Sequence, residues 1–458
     1  MSGQNGNSRT LFGTDGIRGL ANQYPMDTGT AMALGRSLAW VLRTRGTARP
    51  KVLIGKDTRL SCYMLEHALA SGLCSMGADV TLIGPMPTPG IAFLAHDMRT
   101  DAGIVISASH NPYQDNGIKF FDRHGFKLPD AEEAEIERWV REGVPAGSLA
   151  TGTSVGRIRR VEDSEGRYIV HAKQTFDPSL TLDGMVVALD CANGAAYFVA
   201  PKVFAELGAE VFPIGITPNG ININNGYGSL YPEKMQAEVL ARKAQAGISL
   251  DGDADRVILV DERGEVVDGD QIMAICAIDL KERGLLRKNT VVATVMSNMG
   301  LEVALRQHGI SLVRVPVGDR YVVEELRRGG YCFGGEQSGH MIFLDHATTG
   351  DGTICALQVL GVMKRTGKKL SELRGIMTPM PQILWNLKVK ERVPLESDPA
   401  VSKAIRETEE TLGENGRLLV RYSGTEALLR VMMEGPDAGR LNALLDRLGG
   451  TLKDRLGA

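Results

Sequence analysis

An α/β protein with a smaller α+β tail is what the sequence predicts, and three observations predict it. Short β-rich runs alternate with longer helical segments over most of the chain, the pattern of βαβ units. After Met377 the alternation stops, and strands and helices follow without βαβ order. The chain has 458 residues, enough for about two to four domains at roughly 100–200 residues each.

The elements follow in order. KVLIG (51–55) reads as a strand leading into a helix through 65–77, and DVTLIG (79–84) as the next strand. The Pro-rich turn PMPTPG (85–90) breaks the chain before another helix. GIVISAS (103–109) is a third strand, ended by the turn signal Asn111-Pro112. Residues 141–156 are small, polar and aperiodic, a linker composition. A second set has MVVALD (185–190), a helix to about Leu207, AEVFPIG (209–215), and the strands GISLD and RVILVD around a carboxylate loop. A third set, from about Glu262, has VVATVM (291–296), SLVRVP (311–316), YCFGG (331–335) and a helix after Gly352. The tail reads as ILWNLKVKE, a helix over about 399–412, RLLVRY, LLRVMMEG and a last helix from about Asp437. The three β/α sets suggest a weak internal repeat without residue-level self-similarity.

Composition excludes several classes. Lys and Arg number 52 against 55 Asp and Glu, a net charge of −3, so neither a polybasic nucleic-acid surface nor an acidic tail is present. The longest apolar runs, such as MVVAL and VILV, are far too short to cross a membrane. Six scattered cysteines form no CxxC or Cys/His cluster, which argues against structural zinc and fits a reducing compartment. The first ten residues lack an apolar signal core, so a cytoplasmic protein is expected. The 54 glycines point to many tight turns and backbone-lined sites.

Four stretches carry chemistry. Asp251-Gly252-Asp253-Ala254-Asp255-Arg256 places three carboxylates at alternate positions between two apolar strands. Close carboxylates repel unless a cation neutralises them, and hard oxygen ligands favour Mg²⁺ or Ca²⁺. An EF-hand loop also fits the acidic spacing, but Arg256 stands where that loop needs Gly. A solvated acidic loop fits too, while three carboxylates leave Mg²⁺ positions open for a phosphate oxygen. Ser107-Ala108-Ser109-His110-Asn111-Pro112 closes a strand at the sheet edge where ligands bind in open α/β folds. Either serine is a candidate nucleophile with His110 beside it, and an ordinary strand-ending turn fits the same residues. No GxSxG elbow accompanies them. Lys119 follows as a cation just past a tight turn. Gly334-Gly335-Glu336-Gln337-Ser338-Gly339-His340 suits a polyhydroxylated ligand, or simply a Gly-rich turn. Arg421-Tyr422-Ser423-Gly424-Thr425-Glu426, with Arg430, suits a phosphate. Neither GxGxxG nor GxxxxGK[ST] is present. Arg18 lies in a further Gly-rich turn, GTDGIRG (13–19).

Together and in this order, FGTDGIRG, SASHNPYQDNGIKFF, DGDADR, GGEQSGH and RYSGTE resemble the α-D-phosphohexomutase superfamily from about Thr10 to the C-terminus. SASHNPYQDNGIKFF, ITPNGININNGYGSLYPE and Gln337 are most similar to the bacterial branch that isomerises glucosamine phosphate. The phosphomannomutase/phosphoglucomutase branch, the alternative, typically carries Met at the Gln337 position. Ala427 stands where the family usually has Pro.

The resemblance implies three similar α/β/α domains with mixed sheets and a C-terminal α+β domain around a central cleft, bounded at 1–158, 159–261, 262–376 and 377–458. It implies Ser109 as the phosphorylated catalytic serine, and one Mg²⁺ held by Asp251, Asp253, Asp255 and a phosphoserine oxygen. Glu336 and Ser338 are expected to hold sugar hydroxyls. Arg421, Ser423, Gly424, Thr425 and Arg430 are expected to hold the non-reacting phosphate. Arg18, His110, Lys119 and His340 match positions for positioning or proton transfer, with Lys119 assigned to assist the attacking hydroxyl. The implied reaction interconverts glucosamine 6-phosphate and glucosamine 1-phosphate through a 1,6-bisphosphate, on the route to UDP-N-acetylglucosamine. Glucosamine or glucose 1,6-bisphosphate, or an activating kinase, would prime the serine, and a homodimer is implied. The competing class is a non-catalytic Ca²⁺-binding or sugar-sensing protein.

Overall fold

The computed structural model describes residues 11–13, 15–413, 416–423 and 427–458. The chain divides into two compact units, Met1–Met296 with Leu312–Gly375, and Ser297–Ser311 with Ile376–Ala458.

The first unit holds three mixed sheets. The first runs, in spatial order, Ile17–Leu20, Asp115–Asp122, Ala102–Ile106, Lys51–Lys56, Asp79–Pro85, Ile158–Arg160. The second runs Val266–Val267, Val257–Asp261, Ala246–Leu250, Val186–Asp190, Glu210–Ile214, and the third Ser311–Val315, Thr290–Thr294, Phe333–Gly335, Met341–Phe343. Behind the different lengths lies one plan. In each sheet four strands succeed one another in the chain, the third lies parallel beside the first, and the fourth returns antiparallel along the third. The repeat suspected from the sequence is therefore a repeat of topology. Its third-to-fourth connections are residues 107–114, 251–256 and 336–340, and these are three of the chemistry-bearing stretches.

Local sequence explains the central strands. Lys51–Lys56 is buried at every position but the first, so helices must cover both faces, and an unbroken apolar run serves that better than alternation. Ser61–Ser75 and Thr88–Asp97 pack on that strand, and Thr28–Thr44 packs across Ser61–Ser75 and Asp130–Glu142. Asp268 caps Gly269–Glu282 in a reciprocal box with Gln271, and Asp351 caps Gly352–Thr366.

Three expectations need correction. The strand expected over 103–109 ends at Ile106, because the Ser107 hydroxyl turns inward to Asp57 and Ser109 adopts φ +51°. The linker expected over 141–156 does not separate domains cleanly. Its first two residues end the helix Asp130–Glu142, and beyond it Ile158–Arg160 joins the first sheet, parallel to Asp79–Pro85 across the boundary drawn at 158. Finally, the helix Met299–Gln307 groups with the tail, held by paired Asn298–Met380 hydrogen bonds of 3.1 and 2.9 Å.

The second unit is a three-stranded antiparallel sheet, Gln382–Lys388, Leu428–Glu434, Arg417–Tyr422, covered by Pro399–Leu412 and Ala438–Leu456. Its own core includes Val401, Leu429, Val431, Leu441 and Leu452. All six cysteines are free and buried. No described helix is long and apolar enough to cross a membrane.

Candidate active site

Ser109 follows the strand Ala102–Ile106 and is 1% exposed. The two serines differ in their hydrogen bonding. Ser107 Oγ donates to Asp57 Oδ2 (2.6 Å) and accepts from the Ser109 N–H (2.9 Å), so it is committed to the backbone turn. Ser109 Oγ instead donates to Asp251 Oδ2 at 2.5 Å, with His110 Nδ1 3.4 Å away.

Two residues that the sequence reading did not single out hold this turn. Arg59, fully buried, pairs with Asp57 (2.8 Å) and donates to the carbonyls of Ser109 (2.9 Å), Asn111 (2.8 Å), Asp115 (3.2 Å) and Pro112. Asn224 Nδ2 donates to the Ser109 and Asn111 carbonyls at 2.8 and 3.0 Å. The metal-loop backbone comes equally close, since a Cβ on Gly252 would meet the Ser109 carbonyl oxygen at 2.6 Å. Only glycine leaves room there.

Asp251, Asp253 and Asp255 each present an oxygen within 4.8 Å of the others, all buried. The Oδ1 atoms of Asp253 and Asp255 are buried without a hydrogen-bond partner. Orphaned carboxylate oxygens are costly to bury, and their convergence beside Ser109 Oγ suits a hard divalent cation. Burial and the neighbouring Asp255 and Asp253 charges push the Asp251 carboxyl well above its usual range. Burial pushes Asp255 the same way, but Lys119 and His340 outweigh it and hold Asp255 low.

Lys119 Nζ sits 3.0 Å from Asp15, 3.2 Å from Asp253 and 3.6 Å from Asp255. Burial would favour the free amine, yet these carboxylates dominate and keep the ammonium charged. Its surroundings thus keep Lys119 in its charged form, which can neutralise an anion or donate a proton but cannot accept one. His110 differs. Burial, then Arg256 and Arg18, push its pKa down to about 4. Arg256 donates to His110 Nδ1 at 3.1 Å, consistent with a neutral ring.

The loop 336–340 rests on the strand Val257–Asp261, which leaves the carboxylate loop. The Val257 N–H donates to the Gly339 carbonyl (3.1 Å), and Gly339 has φ +93° with its Cβ position only 2.1 Å from the Val257 oxygen. Glu336 Oε1 accepts from the Gly318 N–H (3.1 Å). His340 Nε2 accepts from the Gly350 N–H (3.0 Å), while Nδ1 lies 3.6 Å from Asp255. Burial lowers its pKa, but Asp255 and then Asp319 more than offset that and raise it.

Arg18, Glu336, His340 and Asp255 meet at a cavity of about 580 Å³, together with Asp15, Arg256 and Asp319, which the sequence reading did not single out as site residues. Asp15, Arg256 and Asn224 stood inside quoted motifs, whereas Arg59 and Asp319 carried no local signal. Ser338 is exposed and does not line this cavity. A larger cavity of about 740 Å³ lies elsewhere. Its Lys243 and Lys364 sit at the C-terminal ends of two helices, where a cation complements the macrodipole.

In the second unit, Arg421 and Arg430 are directly opposite in register on neighbouring strands, with Ser423 just beyond and buried. Gly424 and Thr425 lie outside the described residues.

Comparison with known proteins gives a consistent set. Four phosphoglucomutase/phosphomannomutase family descriptions match in succession: alpha/beta/alpha domain I over residues 9–145, domain II over 166–264, domain III over 268–380 and the C-terminal domain over 384–449. A phosphoglucosamine mutase of Syntrophotalea carbinolica is 56% identical over 449 residues, 98% of each chain. That of Anaeromyxobacter dehalogenans is 57% identical over 458 residues, covering 98% of this chain and 100% of its own. Among solved structures, a phosphoglucomutase/phosphomannomutase family protein from Burkholderia thailandensis superposes with a TM-score of 0.82 at 23% identity, covering 98% of this chain and 99% of that one.

Proposed function

The chain belongs to the phosphoglucomutase/phosphomannomutase family, and from that premise we infer that it interconverts glucosamine 6-phosphate and glucosamine 1-phosphate through a phosphoserine and a 1,6-bisphosphate. The observation that carries the reading is the Ser109 hydroxyl 2.5 Å from a buried three-carboxylate cluster. The identity of about 56% to phosphoglucosamine mutases supports the choice of sugar.

In the forward direction, O1 of glucosamine 6-phosphate attacks the phosphorus on Ser109. The O1–P bond forms, the Oγ–P bond breaks, and the proton that O1 gives up ends on Ser109 Oγ, restoring the hydroxyl. The bisphosphate then turns, its 6-phosphate returns to Ser109, and glucosamine 1-phosphate leaves. Such a transfer gains mainly from positioning and charge neutralisation. Asp251, Asp253 and Asp255 would hold Mg²⁺ with a phosphoserine oxygen, and the bound ion supplies positive charge against the phosphoryl oxygens. Lys119 and Arg18 add cationic charge from the protein. Neutral His110, 3.4 Å from Ser109 Oγ, is suited to exchange a proton there. Glu336 takes sugar hydroxyls as a bidentate acceptor, and Arg421, Ser423 and Arg430 supply guanidinium and hydroxyl donors for the phosphate that is not reacting.

The test is turnover by purified protein with Mg²⁺ and a trace of glucose 1,6-bisphosphate, comparing kcat/KM on the 6-phosphates of glucosamine, glucose and mannose. Glucosamine 6-phosphate is expected to be the best substrate. Intact mass should reveal a fraction heavier by one phosphoryl group, mapped to Ser109, and Ser109→Ala should lose both that fraction and turnover. Full turnover in Ser109→Ala removes the mechanism, while a preference for mannose or glucose phosphate replaces the substrate assignment.

A further inference from the structure

Asp15 is shared by three cations. Lys119 Nζ lies 3.0 Å away, Lys127 Nζ 2.5 Å, and the Arg18 guanidinium also pairs with it. Burial opposes ionisation of Asp15, but these cations dominate and hold it well below the usual carboxylate range. Lys127 also pairs with Asp319 at 2.6 Å. Asp319 lies 3.5 Å from His340 Nε2, His340 Nδ1 lies 3.6 Å from Asp255, and Asp255 lies 3.6 Å from Lys119. Six side chains thus close a ring in which cationic or proton-bearing groups alternate with carboxylates. Asp15 and Asp319 both line the 580 Å³ cavity, from the N-terminal turn and from the first residue of the helix Asp319–Gly329. Lys127, its side chain 12% exposed, stands behind them and does not line the cavity.

We propose that Lys127 is a positioning residue for phosphoryl transfer: it fixes Asp15 against Asp319, and through Asp15 sets where Arg18 and Lys119 present their charge. Without it, two carboxylates with no shared cation would face each other across the cavity wall and move apart. Lys127 is not needed merely to join these segments. The Arg320 guanidinium reaches Glu133 (2.9 Å), and the Arg327 guanidinium lies 4.3 Å over the Phe126 ring. The proposal rests on the phosphomutase reading, which parent turnover on glucosamine 6-phosphate checks in the same assay.

The experiment is rapid-quench transfer from phosphorylated enzyme to glucosamine 6-phosphate, with steady-state kinetics, for parent, Lys127→Met, Lys127→Gln and Lys127→Arg. Displacing a catalytic charge by about 1 Å costs on the order of 100-fold. The Met variant should therefore lose about 10- to 100-fold in transfer rate and kcat, keep KM within about 3-fold, and keep its Mg²⁺-dependent melting shift. Lys127→Arg should recover most of the loss. If the Met variant fails to fold, Lys127→Gln decides with the same signature. Parental kcat in a folded Met or Gln variant overturns the proposal, as does a change confined to KM. Inactive parent enzyme would instead overturn the functional reading.

Discussion

Ser109 and its neighbour His110 show how one residue's surroundings assign its role. Ser109 faces the carboxylate cluster while Ser107 takes the structural hydrogen bonds, a difference that the spacing of the two serines alone left open. His110 is kept neutral by burial and by Arg256 and Arg18, with its pKa near 4 in place of 6.5. The folded chain therefore binds fewer protons at His110 than the unfolded chain between those values. Stability from this residue is full above 6.5 and falls as the pH drops toward 4. Replacing His110 with Asn removes that dependence. Urea midpoints at about pH 7 and about pH 4.5 should show the variant gaining on the parent in acid, and a constant difference between the two would exclude the buried neutral ring.

At the scale of elements, the decisive unit is the hairpin-like connection between the third and fourth strands of each repeat. Three copies of one topology present the Ser109 turn, the carboxylate loop and the loop 336–340, and backbone contacts at Gly252 and Gly339 fit them together. Arg59 is the fastener of the first copy. Changing it to Met strips donors from four backbone carbonyls and leaves Asp57, 1% exposed, with an unpaired charge. Breaking a buried pair from one side costs about 3–5 kcal/mol. Urea denaturation of Arg59→Met should show a loss of that order together with a fall in kcat. A loss below about 1 kcal/mol with parental kcat would mean that Arg59 does not hold the serine turn.

For the molecule as a whole, the charge of −3 hides a strongly structured interior. Cations and carboxylates gather around Ser109, and the orphaned oxygens of Asp253 and Asp255 suit a divalent ion. Ligand binding to the folded state alone stabilises by about 2.7 kcal/mol at roughly 100 times Kd. Mg²⁺ should therefore raise Tm for the parent by several degrees and leave Asp253→Asn nearly unmoved, as read by calorimetry. An equal shift in both proteins would place the ion elsewhere.

Much of the fold was legible because its cause is local. Apolar runs such as KVLIG, the Gly and Pro turns and the switch of pattern after Met377 act through a few neighbouring residues, and the strands appear close to where those signals put them. The carboxylate triplet and the Ser-His turn were legible for the same reason, since each motif is short and continuous. What only the tertiary structure decided depends on residues distant in the chain. Arg59 reaches the serine turn from 50 residues away and Asn224 from 115. Lys127 meets Asp319 across 192 residues. The length of the helix Met299–Gln307 was set by its own residues, but its place with the tail was set by Asn298 meeting Met380. The sequence by itself determined which chemistry the chain carries. The packing of separate loops decided which serine faces the carboxylate cluster, which ammonium stays charged and which imidazole stays neutral, because hydrogen bonding and desolvation depend on neighbours in space.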